Sequence, residues 1–166
     1  MIRRAKVSTA VVAVLALSAS TAAAQSANIQ ALANVFTAIS VSGTRDLDFG
    51  NVFPGIAKTV VPSAGTSGLF SATGQASTNV NMTFTLPTDL SSGANLLPIG
   101  TWTGCFDTDN DPSAGCTGFT PSAVASAASF SGAGALFVFV GGTVTPGAGQ
   151  ASGAYTGTIV IQLDYF

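Results

Sequence analysis

Three carboxylates at alternate positions, Asp107, Asp109 and Asp111, lie between the only two cysteines of the chain, Cys105 and Cys116. Alternating Asp oxygens begin many Ca2+ loops, because a hard cation takes a full shell of oxygen ligands. Such a loop then needs Gly for its sharp turn and a bidentate Glu to close it. Here Pro112 stands next, and the chain has no Glu at all, since all seven of its acids are Asp. Two readings follow: a weak structural Ca2+ site on these three residues, or a solvated turn pinned by a disulfide. The missing ligands favour the turn, and no other cofactor is expected.

The chain also has no His. That removes an imidazole base and His metal ligands, and the lack of Glu removes a common general acid. No Gly-x-Ser-x-Gly elbow occurs, and a Ser nucleophile would have no His to activate it. Gly141-Gly142 and Gly147 to Gly149 lack the Lys and following helix of a phosphate loop, so they read as turns. The one Trp, Trp102, reads as a core anchor ahead of a sugar platform. No catalytic residue is expected, and the chain reads as a non-enzyme.

Met1 to Lys6 carries three of the five basic residues, and Val7 to Ala19 is almost wholly apolar. Ala22-Ala23-Ala24 then precedes Gln25. This order of charge, apolar run and small residues is that of a secretory signal peptide over residues 1–24. Residues 25–166 remain, the size of one domain. They hold Arg45 and Lys58 against seven Asp, a net charge of −5. Such a surface repels nucleic acid and anionic lipid, so neither is an expected partner. No apolar run in residues 25–166 reaches the ~20 residues of a membrane span. An exported chain with two cysteines predicts a Cys105–Cys116 disulfide.

The elements that carry these residues read as strands. Val80, Met82, Phe84 and Leu86 alternate with Asn79, Asn81, Thr83 and Thr85, as a half-buried strand does. Ile159, Ile161, Leu163 and Tyr165 alternate with Thr158, Val160, Gln162 and Asp164. Ile29, Ala31, Ala33, Val35, Ile39 and Val41 share one parity near the start. Leu136 to Val140 is a continuous apolar run, predicting a strand covered on both faces. Shorter strands are expected at Leu47–Phe49, Lys58–Val61, Leu69–Thr73, Ile99–Thr103 and Thr117–Thr120. Ser122 to Ser129, rich in Ala, reads as one helical turn at most. Many short strands separated by Gly and Pro turns, without a helix, predict an all-β antiparallel sandwich.

The last fourteen residues combine Gly153, four alternating apolar positions and the penultimate Tyr165. This resembles the C-terminal strand of chaperone–usher pilins. Phe137 to Val140 leading to Pro146-Gly147 resembles the pilin strand and turn before it, and Asp46 to Val52 resembles an early pilin strand. Asp46-Leu47-Asp48-Phe49-Gly50 together with Gly153-Ala154-Tyr155-Thr156-Gly157-Thr158-Ile159 is similar to a family of bacterial secreted domains of unassigned function. That family is itself similar to pilins and to spore-coat protein U-type domains, and the resemblance covers most of residues 27–166.

The resemblance implies an immunoglobulin-like sandwich lacking its last strand. A neighbouring subunit would fill the gap with an N-terminal extension, whose alternating side chains set the register. Gly153, Ile159, Ile161, Leu163 and Tyr165 would form the acceptor strand. Ala27, Ile29, Ala31, Ala33 and Val35, within a donor extension at 25–36, would enter the groove of the next copy. The implied product is a fimbria-like surface fibre, built from copies of the chain or related subunits. A periplasmic chaperone and an outer-membrane usher are the implied helpers, and the implied route runs through the periplasm to the cell surface. The other reading is a self-contained secreted sandwich that binds a cell-surface component, as an adhesin would, without polymerising. Gly153 to Phe166 is then an ordinary final strand.

Overall fold

A computed structural model describes residues 24–166. Nearly all of the expected signal segment falls outside that range. Residues 24–34, taken alone, have no regular secondary structure and are exposed throughout; Ile29 is 97% and Leu32 87% exposed. Residues 35–166 form a separate compact unit.

Ten strands and no helix build that unit among the described residues. They are β1 (Ser40–Arg45), β2 (Lys58–Val60), β3 (Gly68–Thr73), β4 (Asn79–Thr85), β5 (Asp89–Ser92), β6 (Asn95–Asp107), β7 (Thr117–Phe119), β8 (Ser126–Ser129), β9 (Ala135–Val144) and β10 (Val160–Tyr165). The larger sheet runs β1-β3-β9-β6-β5, with β2 also on β9 and β7 also on β6. The smaller runs β10-β4-β8. Every strand pair is antiparallel.

One core closes the two sheets onto each other, so the fold is an all-β antiparallel sandwich. Val80, Met82 and Phe84 of β4, Ala128 of β8 and Leu163 of β10 meet Ala72 of β3 and Leu136, Val138 and Val140 of β9. Val80, Met82 and Phe84, with Leu163, follow the period of two read from the sequence, which is why they share one face. Full burial of a Val, Leu or Met side chain contributes about 1.5–3 kcal/mol, so β4 and β9 dominate this core. A second cluster, Phe49, Val60, Leu97, Ile99 and Val144, fills the other end. β9 is buried on both faces as expected: Phe139, on the face opposite Leu136 and Val138, is only 1% exposed. It lies between Leu69 and Cys105 in the ladder.

Several elements differ from the sequence reading. Ser126–Ser129 is a strand rather than a helical turn, because pairing with Asn79–Met82 buries Ala128 in the core. Leu47–Phe49 has no ladder; its main chain is held by Asp48 N donating to Thr66 O at 2.9 Å, and Phe49 is buried by packing alone. The first strand is Ser40–Arg45, paired with β3, while the parity of residues 29–35 appears in no strand. β6 is much longer than Ile99–Thr103. It crosses a bulge between Gly100 and Thr103 in its pairing with β9. Thr101 takes the left-handed conformation there (φ 48°). A bulge of this kind re-aims the next side chain. Trp102 is turned inward, between the two core clusters.

Candidate functional site, an open strand edge beside a groove

β10 pairs along its length with β4, Ile161 opposite Phe84, Leu163 opposite Met82 and Tyr165 opposite Val80. The alternation read from the sequence is thereby realised: Leu163 is buried, Ile159, Ile161 and Tyr165 are half-buried, and Val160, Gln162 and Asp164 face out. Among the described residues β10 has no strand on its other edge. An unpaired edge leaves a row of N–H and C=O groups free to take another strand.

One end of this edge is closed. The Tyr165 ring lies between Phe36 and Phe130, with ring centres 5.3 and 6.2 Å away. Its hydroxyl accepts from Gln75 N at 2.6 Å and donates to Thr37 O at 2.7 Å. The other end opens into a groove of about 1000 Å3. One wall is the Gly43–Pro54 segment and the other is Gln150–Ile159. Phe70, Val140 and Trp102 lie at its base. Trp102 is half-buried against Gly142, so its indole serves as core and groove floor together.

Gly153 lies outside β10, on the exposed loop that forms the groove wall. Its role is close approach: a Cβ there would sit 2.6 Å from Ser92 Oγ, and one on Gly157 would sit 2.7 Å from a Leu90 methyl. Between them, Thr156 exchanges main-chain hydrogen bonds with Ser91 at 2.8 and 3.0 Å. Tyr155 packs on the second core, while its hydroxyl donates to Ala151 O at 2.8 Å. The Gly-x-Tyr-x-Gly spacing thus fastens this loop to β5.

The expected donor positions Ala27, Ile29, Ala31 and Ala33 lie in the exposed stretch before the folded unit, and Val35, 94% exposed, opens that unit. No strand includes any of the five.

Cys105 and Cys116 form the expected disulfide, with Cα atoms 5.7 Å apart. It braces β6 against β7, where Cys105 pairs with Gly118. Two of the three Asp of the enclosed loop bond to groups of the loop itself. Asp107 accepts from Thr108 N at 2.6 Å, and Asp111 accepts from the hydroxyl and N–H of Ser113 at 2.5 and 2.9 Å. Those two Ser113 bonds, the hydroxyl first, hold the Asp111 carboxyl below its ordinary value. Among the described residues no three acidic or cysteine side chains are gathered so as to hold a metal ion.

Sequence reasoning passed over Phe36, Thr37 and Gln75, which close the Tyr165 end. Nothing local in the sequence marks Gln75, since its partners lie 38 and 90 positions away. No protein-family model matches this chain and no curated protein sequence does.

Proposed function

We propose that this chain is a structural subunit of a bacterial surface fibre, assembled by strand donation between copies. The observation that carries the reading is the open edge of β10 beside a groove. An immunoglobulin sandwich orders its strands A-B-E-D in one sheet and C-F-G in the other. Taking β1, β3, β4, β6, β9 and β10 as A to F keeps chain order, and gives β1-β3-β9-β6 against β4-β10. The strand without a counterpart is G, whose position is the open edge of β10.

A donor must be extended, alternating and attached outside its own fold. Residues 27–35 carry apolar side chains at alternate positions, and extended they reach about 27 Å at ~3.3 Å per residue. Main-chain hydrogen bonds to β10 supply affinity, and the donor's alternating apolar side chains, laid along the face that carries Ile159, Ile161 and Leu163, set the register. Each copy gives to one neighbour and receives from another, so the contact is heterologous and grows an open fibre. The absence of His and Glu from the sequence fits a structural role.

Electrophoresis of surface-extracted protein in SDS, with and without boiling, tests this beside a variant lacking residues 26–34. That deletion spares Phe36, which packs on Tyr165. A ladder that collapses on boiling and vanishes in the deletion is the expected result. A single band in every lane would sink the fibre and leave a self-contained sandwich that binds a surface component.

A further inference from the structure

Phe53-Pro54-Gly55-Ile56 is a tight turn of the kind that takes Pro then Gly, with Ile56 N donating to Phe53 O at 3.1 Å and Gly55 at φ +74°. Gly55 N also donates to Pro146 O and Gly147 O at 3.2 and 3.1 Å, which fixes the turn to the loop after β9. It holds up two apolar side chains together, Phe53 at 65% and Ile56 at 62% exposure. Two large apolar side chains held on one rigid turn add to the exposed apolar surface that a neighbouring molecule could cover.

Phe53 and Pro54 line the open groove together with Ile159, the residue before β10, so the turn and the start of β10 border the same groove. At the other end of β10, Phe36 packs on Tyr165. Phe36 and the terminal Phe166 are themselves 54% and 66% exposed. The six residues of β10 separate the two ends by roughly 20 Å, at ~3.3 Å per residue. One copy cannot bring its own two patches together, but a head-to-tail neighbour can.

We infer that the Pro54-Gly55 turn is a second contact between successive copies, in which Phe53 and Ile56 of the acceptor dock on the Phe36–Phe166 end of the donor. This rests on the strand-donation reading. Every strand pair of the unit is antiparallel. A donor laid antiparallel on β10 finishes at the Ile159 end, where its own Phe36 begins the next folded unit. The aromatic end of one copy then meets the apolar turn of the other, and aromatic side chains are what buried interface centres favour. A parallel donor would bring Phe36 to the Tyr165 end instead and leave Phe53 uncovered.

Two full-length copies with different tags, one Phe53→Cys and one Phe166→Cys, are co-expressed and surface-extracted without reductant. The expected result is a two-tag dimer that survives boiling, disappears with reductant and is absent from either variant alone. Ile56→Cys with Phe166→Cys repeats the test if Phe53→Cys fails to assemble. An unboiled ladder with no two-tag dimer from either pair overturns the second contact while strand donation stands. No ladder from the unsubstituted chain overturns both.

Discussion

The hydroxyl of Tyr165 donates to the main-chain oxygen of Thr37 at 2.7 Å, joining the penultimate residue to the third residue of the folded unit. Gln75 completes the clasp. Its N–H donates to the same hydroxyl at 2.6 Å, and its Oε1 accepts from Thr37 N and Oγ1 at 3.2 and 3.1 Å. A penultimate aromatic without a hydroxyl could fill the space between Phe36 and Phe130 but could not hold these groups. The clasp closes one end of β10 and leaves the Ile159 end as the way into the groove.

Tyr165→Phe keeps the ring and removes both bonds, leaving Gln75 N without its partner. At about 1 kcal/mol per hydrogen bond, the variant is expected to lose ~1–2 kcal/mol. Urea unfolding should show a lower midpoint with unchanged slope, since the buried surface stays the same. An unchanged midpoint would mean that the clasp contributes nothing to stability.

The core was legible in the sequence because period-two alternation depends on adjacent residues alone. Val80 to Phe84 and Ile161 to Tyr165 read directly, and so did the two-sided burial around Phe139. What stayed hidden depends on partners far along the chain. Ser126–Ser129 has no alternation of its own worth reading and becomes a strand through β4. Leu47–Phe49 has strand-like residues and forms no ladder, because its main chain is held to Thr66. Near the end of the chain, Ile159, Ile161, Leu163 and Tyr165 read correctly as one inward-facing set. Gly153 did not, since its need for a small residue comes from Ser92.

Gly157 and Gly149 carry a sharp contrast. A Cβ on Gly157 would collide with Leu90 at 2.7 Å, whereas one on Gly149 would meet nothing within 4 Å. Gly157→Val is expected to cost about 1–3 kcal/mol through overpacking against β5. Gly149→Val should stay within ~0.5 kcal/mol of the parent. Thermal unfolding of the two variants side by side measures this, and equal midpoints would refute the close fit.

The titration of Asp111, in the disulfide loop, should depend on Ser113. Ser113 lowers the Asp111 carboxyl from its ordinary value, so the folded form favours the ionised state. The resulting stabilisation is present above the ordinary Asp value and is lost as pH falls through the depressed one. Ser113→Ala should return the Asp111 midpoint toward that ordinary value, followed by carboxyl chemical shifts. Added Ca2+ should leave the melting temperature unchanged, because Asp107 and Asp111 are engaged within the loop and no three acids gather there among the described residues. A Ca2+-dependent rise would point to a bound ion.

Trp102 offers a direct reading of the groove, since its indole forms the floor and is the only one in the chain. A synthetic peptide of residues 25–36, added to the variant lacking residues 26–34, should displace water from the groove and shift the emission to the blue. Replacing Ile29 and Val35 of the peptide by Asp puts charge where the alternation requires apolar groups. With about 1.5–3 kcal/mol lost for each apolar side chain left unburied, the half-saturating concentration should rise at least tenfold. A peptide with Asn28 and Gln30 replaced instead should bind as the parent does, because those positions face away from the groove when the apolar ones face in. Equal binding by all three would show that the peptide is held without register. That result would argue against a strand seated on β10.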